Sequence, residues 1–195
     1  MAKAHAKTIA LALAGFCTFG LWKVGSALFA DDGAQAAKHL VNRPWIDHVP
    51  EDGRDMIGHL VVLEHPKGHF GATGRSSSWR HRVEVFKWEQ HGDALHFFFP
   101  QDRVRSAVEV RTWACKGEAP APFDLCLELR ARNGRSMTLY SRKDWEIDVR
   151  DVGGSLAALD VPGLGEGALV ELDEGAAEAL EALDGESWEA RELAL

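Results

Sequence analysis

The chain has 195 residues, 46% of them hydrophobic and 27% charged, so it can bury a core the size of one ordinary domain. Its net charge of −8 argues against a general nucleic-acid binder, which needs a basic face. The charge is uneven: residues 148–195 carry 13 carboxylates against Arg150 and Arg191, so the acidity is a C-terminal property and the body before it is mildly basic.

The N-terminus reads as an export element. Lys3 and Lys7 precede an uncharged run from Thr8 to Trp22, and after Lys23 the apolar character continues to Ala30. A positive start, an apolar stretch and a small-residue site make a secretory signal, with Ala34-Gln35-Ala36 or Gly25-Ser26-Ala27 as the cleavage pattern. The rival is an uncleaved anchor, because residues 8–30 are long enough to span hydrocarbon if Lys23 snorkels. A buried amphipathic helix is the third reading. Cys17 follows Phe16, where bacterial lipidation wants a small residue, so lipidation is not expected. The expected address is the cell envelope, periplasm or outer surface, with membrane contact only through the N-terminal segment. The expected division is 1–36 signal or anchor, 37–147 β-barrel, and 148–195 acidic tail.

Residues 34–56 read as a short helix closed by Pro44 and then a loop holding Pro50 and Gly53. From Met56 the hydrophobic period becomes two. Seven strands are expected, at 57–63, 68–73, 79–89, 94–99, 104–114, 123–132 and 136–141, joined by short turn-rich connections. With no helices between them, they form an antiparallel meander of seven to eight strands that closes as a barrel or stacks as a sandwich.

Cys115 and Cys126 stand symmetrically about Ala119-Pro120-Ala121-Pro122. Pairing them directly sets Ala114 opposite Leu127, Thr112 opposite Leu129 and Val110 opposite Ala131 on one face. The other face then holds the unfavourable pair Arg111 and Arg130, with both cysteines near the surface. A disulfide here closes a short loop; two free thiols are the alternative that a reducing compartment would favour. The next hairpin is expected to turn through Asn133-Gly134-Arg135 with a glycine bulge, setting Leu129 opposite Leu139 and Ala131 opposite Met137. In strand 79–89, Val83 and Val85 share a face while Phe86 and Trp88 share the opposite one, which implies a bulge or bend near Val85. Phe86, Trp88 and Phe98 would then form an outward aromatic patch. In the tail, 151–154 breaks the pattern, and Asp173 to Leu183 holds strong helix formers at helical spacing; a loosely attached arm is expected.

No chemical motif stands out. His59, His65 and His69 fall close together, but on a turn between strands rather than a rigid ligand frame. Ser76-Ser77-Ser78 lacks the Gly-x-Ser-x-Gly turn of a nucleophile elbow, and Gly68, Gly71 and Gly74 lack a strand-then-helix setting for phosphate. Asp47, Glu51, Asp52 and Asp55 read as solvated loop carboxylates.

Three segments carry a resemblance: residues 42–47 (Asn-Arg-Pro-Trp-Ile-Asp), 123–129 (Phe-Asp-Leu-Cys-Leu-Glu-Leu) and 140–147 (Tyr-Ser-Arg-Lys-Asp-Trp-Glu-Ile). They look like parts of a group of uncharacterised bacterial exported proteins. The layout also resembles the lipocalin/calycin class: a Trp before the first strand, a meander of antiparallel strands, and an Arg after the last. Lipocalins carry Gly two residues before that Trp, where this chain has Arg43. The resemblance implies a barrel that binds an apolar small molecule. The resulting expectation is a non-enzymatic exported protein, with no cofactor. Its interior is lined by Val83, Val85, Leu95, Phe97, Phe99, Val108, Val110, Leu127 and Leu129. The alternatives are a membrane-anchored module that meets a protein partner through the acidic tail and aromatic patch, and a metal-dependent enzyme using the histidines.

Overall fold

The computed structural model describes residues 37–117 and 119–165, so the expected signal or anchor, and the expected helix from Asp173, lie outside the described residues. Eight antiparallel strands follow one another around a closed barrel: β1 (Arg43–Ile46), β2 (Ile57–His65), β3 (Gly68–Ser76), β4 (His81–His91), β5 (Ala94–Phe99), β6 (Val104–Ala114), β7 (Leu125–Ala131) and β8 (Ser136–Ser141). A short helix, α1 (Val152–Ala157), follows β8.

Seven strands stand where the period of two places them. β1 does not follow from the sequence. It occupies Arg43–Ile46 in place of the expected helix end and loop, and its four residues include Pro44, which has no N–H for a ladder. Among the described residues one turn precedes it, closed by the Leu40 N–H donating to the Ala37 carbonyl at 2.9 Å. β1 pairs with β2 along its whole length but meets β8 only through Ile46 and Tyr140. Other bonds reinforce that seam. Arg43 Nη1 donates to the Arg142 carbonyl at 2.9 Å, and the Ile147 N–H donates to the Asn42 carbonyl at 2.9 Å.

The interior side chains form one cluster, including Trp45, Leu60, Val62, Phe86, Trp88, Leu95, Phe97, Val110, Leu127 and Leu129. Burying each such large apolar side chain contributes roughly 1.5–3 kcal/mol. Two register expectations change. The β6–β7 pairing sets Thr112 opposite Leu127 and Val110 opposite Leu129, two residues away from direct cysteine pairing. Such a shift keeps every apolar residue inside. It also replaces the Arg111–Arg130 clash with Arg111 opposite Glu128 and Glu109 opposite Arg130. The β7–β8 pairing moves likewise, to Leu127 opposite Leu139 and Leu129 opposite Met137. Its loop has three residues, but they are 132–134, closed by the Ala131 N–H donating to the Arg135 carbonyl at 2.8 Å. Gly134, at φ 80°, must hold the last loop position, and that fixes the turn.

β4 needs no bulge: its ladder with β3 runs in one register from Phe70–Lys87 to Ser76–His81. Phe86 and Trp88 therefore point inward, while Val83 and Val85 point outward beside Ala72. Both faces of β4 are apolar, so alternation alone cannot say which is inside. The expected aromatic patch is dismantled, with Phe98 alone outside under Arg105 at 5.6 Å.

The acidic stretch does not begin at a free boundary. Ile147, Leu156 and Leu159 pack on the outward Val61 and Leu63, and Trp145 and Leu164 pack on Ile46 and Ile57. Residues through 165 are a strap over the outer faces of β8, β1 and β2. Within it, α1 lies where the sequence pattern breaks, capped by the Asp151 side chain accepting from the Gly154 N–H.

Cys115 and Cys126 form a disulfide with Cα atoms 5.5 Å apart. Cys126 is buried rather than near the surface, because Phe123 folds back to stack on Tyr140, the β8 residue paired with Cys126. The bond closes a 12-residue loop (sequence separation 11) at one end of the barrel. Replacing both cysteines by serine is expected to lower stability by about 3 kcal/mol. Urea titration of the two proteins under oxidising conditions measures this, and reduction should remove the difference.

Candidate functional site

The two ends of the barrel differ. At one end lie the β2–β3 and β4–β5 turns, the β6–β7 connection and the incoming chain. Here Trp45, fully buried, donates from Nε1 to the Leu40 carbonyl at 3.0 Å, and the His39 N–H reaches Thr112 Oγ1 at 3.3 Å. Residues 37–42 thus form a floor. Buried at the seam beside it, Arg43 Nε and Ser141 Oγ have no hydrogen-bond partner among the described residues. Burial pulls the Arg43 guanidinium below its ordinary value, while Glu146 and Asp124 work the other way.

The other end carries the β1–β2, β3–β4, β5–β6 and β7–β8 loops. Exposure of the inward side chains rises toward it. Leu125 and Leu127 are at 0%, Phe97 and Leu129 reach 6% and 8%, and Val104 and Met137 at the rim reach 51%. Phe99 and Val108 are half-buried between them. Phe86 and Phe97 meet edge to face at 4.8 Å, with Phe86 and Phe99 at 5.7 Å. The structure brings together seven of the nine residues expected to line the interior: Leu95, Phe97, Phe99, Val108, Val110, Leu127 and Leu129. Val83 and Val85 lie outside, and their places are taken by Phe86 and Trp88, with Trp88 Nε1 donating to the carbonyls of Leu63 and Phe70. Trp45, Leu60, Val62 and Leu139 also belong inside, and the alternation in β2 and β8 carries their signal.

The histidines do not converge. His69 stacks on Trp88 at 4.5 Å and His65 tilts against Phe70 at 5.5 Å, both near the floor. His59 sits on the outer face near the other end, beneath the strap, with Nε2 2.9 Å from Ser76 Oγ. Among the described residues no group of three or more His, Cys, Asp or Glu could hold a metal ion. The expected loop carboxylates are partly engaged: Asp47 and Asp55 grip His48 from both sides, at 2.7 and 3.0 Å. Burial works against the charge on His48, but its bonds to Asp55 and Asp47 outweigh that and raise its pKa.

The His59–Ser76 pair has the contact of a nucleophile and base, but Ser76 is fully buried. Gly163 seals it: a Cβ there would lie 3.0 Å from the Ser76 carbonyl, and its φ is +88°. No substrate reaches that hydroxyl while the strap is in place, so the pair satisfies two buried polar groups. No protein-family description, curated protein or solved structure matches this chain.

The buried pair makes two outcomes measurable. Gly163→Ala should cost about 1–2 kcal/mol in denaturant unfolding, because the added methyl is strained by its backbone and crowds Ser76. Burial, aided by His81 and opposed by Asp47, lowers the His59 pKa from 6.5 to about 4. The unfolded chain therefore takes up that proton first. Stability is complete above pH 6.5 and falls as the pH drops toward 4, by roughly 3 kcal/mol at full effect. His59→Gln should flatten that window in unfolding titrations at pH 7 and pH 4. The raised pKa of His48 acts in the opposite sense, supporting the fold below pH 6.5, and is common to both proteins.

Proposed function

We propose that this is an exported, non-enzymatic, calycin-like protein whose barrel takes up a small apolar molecule, or an apolar tail, through the end opposite its floor. The observation that carries this reading is the graded exposure of the apolar part of the lining, from sealed leucines at the floor to half-exposed valine and methionine at the rim, with Thr112, Ser106 and Glu84 sharing the inward alternation. Pockets for small molecules are mostly apolar and concave, and the mouths of barrels are frequent sites for them. The closed eight-strand meander, Trp45 at the floor and Arg142 just after β8 support the calycin comparison. The disulfide supports an oxidising compartment, because cytosolic thiols are kept reduced. The rival reading as a protein-interaction module has lost its aromatic surface to the interior.

Chemically, the apolar part of the lining offers burial. A ligand gains about 25 cal/mol for each Å² of apolar surface removed from water, and it needs no charged partner inside. The full chain should enhance the fluorescence of N-phenyl-1-naphthylamine in a saturable way, and native mass spectrometry should find a co-purified lipid or similar molecule. Val108→Trp, which fills the half-buried position below the rim, should weaken uptake about tenfold, or ~1.4 kcal/mol. Lys116→Ala at the floor end should leave it unchanged. Absence of both probe uptake and a co-purified molecule would end the ligand reading.

A further inference from the structure

The four large apolar side chains most exposed among the described residues are Val49, Trp79, Val104 and Met137. All four belong to the same end: Val49 and Trp79 lie in its β1–β2 and β3–β4 loops, and Val104 and Met137 are the first residue of β6 and the second of β8, beside the β5–β6 and β7–β8 loops. Three of those loops also pair the apolar residue with two arginines. Arg80 and Arg82 follow Trp79, which is 78% exposed; Arg103 and Arg105 flank Val104; Arg132 and Arg135 precede Met137. All six arginines are exposed, and Arg105 also lies over Phe98. The carboxylates nearby are Asp102 and Glu84, the latter 3.9 Å from Arg82. The fourth loop differs: Val49 stands among Glu51, Asp52, Arg54 and the Asp47–His48–Asp55 clasp, so most of the acidic charge lies on one side of the mouth.

We propose that this end docks on an anionic lipid surface through the β3–β4, β5–β6 and β7–β8 loops. Trp79 sits at headgroup depth, and Val104 and Met137 enter the acyl boundary. Arginine beside exposed tryptophan and aliphatic tips is the chemistry of the membrane–water interface. A nucleic acid or an acidic peptide would use the arginines but would gain nothing from the three apolar tips. This docking adds a second membrane contact to the one expected of residues 8–30. It deepens the ligand reading, on which it rests for the cargo alone: a mouth pressed to lipid can load an apolar molecule without passing it through water.

The test is amide hydrogen exchange on the full chain, with phosphatidylcholine vesicles containing about one-third phosphatidylglycerol and with pure phosphatidylcholine vesicles. The readout is specific to the three loops, so binding through residues 8–30 does not imitate it. The expected result is protection of 77–80, 101–105 and 132–137 on anionic vesicles alone, lost in about 1 M salt, where the Debye length is about 3 Å. Arg80→Ala, Arg103→Ala and Arg132→Ala together should weaken the docking on the order of a hundredfold, about fivefold per charge. Should the variant fold poorly, the salt series on the unaltered protein decides the same question. Unprotected loops on bound vesicles would overturn the proposal, as would equal protection on neutral vesicles. So would protection without vesicles, which would mean that the protein's own acidic residues 166–195 cover the rim. Probe uptake measured without vesicles reads the ligand proposal separately: protected loops with no uptake leave the docking standing and remove only the cargo.

Discussion

The barrel depends on the seam where β8 returns to β1. A sheet of eight strands with both edges free would expose two rows of unpaired backbone groups and leave its apolar face open to water. The ladder itself contributes little there, since Ile46 and Tyr140 are the whole of it. The closure is therefore made by other means: Arg43 reaching the carbonyl after β8, Ile147 bonding to Asn42, and the packing of Phe123, Trp145 and Leu164 over Ile46 from outside. The strap is part of the barrel wall in this sense. Removing it would strip apolar cover from the outer faces of β1 and β2 where the ladder is thinnest.

That arrangement also divides the molecule into a rigid base and an accessible mouth. The disulfide, the Trp45 floor, the stacked Phe123 and Tyr140 and the seam bonds all gather toward one end. The opposite end is closed across by little more than loop contacts, among them the Ser78 N–H donating to the Gly53 carbonyl at 2.9 Å. Arginines and exposed apolar tips collect at that end, away from the covalent and aromatic staples. The covalent and aromatic staples and the exposed rim are thus separated along the barrel axis.

Much of this architecture is legible in the sequence, and the failures have physical causes. β2 to β8 announce themselves because one buried face imposes a period of two, and the cysteine spacing announces the covalent bond. β1 is silent because four residues carry too little periodicity and Pro44 reads as a stop. The inside of β4 is ambiguous because Val83 and Val85 are as apolar as Phe86 and Trp88; neighbouring strands, not alternation, decide. The β6–β7 register differs by two from direct cysteine pairing, a shift to which facing is blind. The unfavourable Arg111–Arg130 pairing is the available clue, since moving by two residues turns repulsion into two attractive pairs. The strap is hidden because its anchors, Ile147, Leu156, Leu159 and Leu164, are scattered among glycines. The rim cannot be read from the chain at all, since Trp79, Val104 and Met137 are far apart in sequence and become neighbours only when the strands close.

One consequence concerns direction. The chain comes into the barrel through the floor, where Leu40 and His39 bond to Trp45 and Thr112. Any leash upstream of Ala37 would hold the molecule by its base, about 30 Å, a length of β2, from the opening. A protein still tethered there would point its opening away from the bilayer holding it and toward whatever lies across the gap. Release of the leash would let it turn either way.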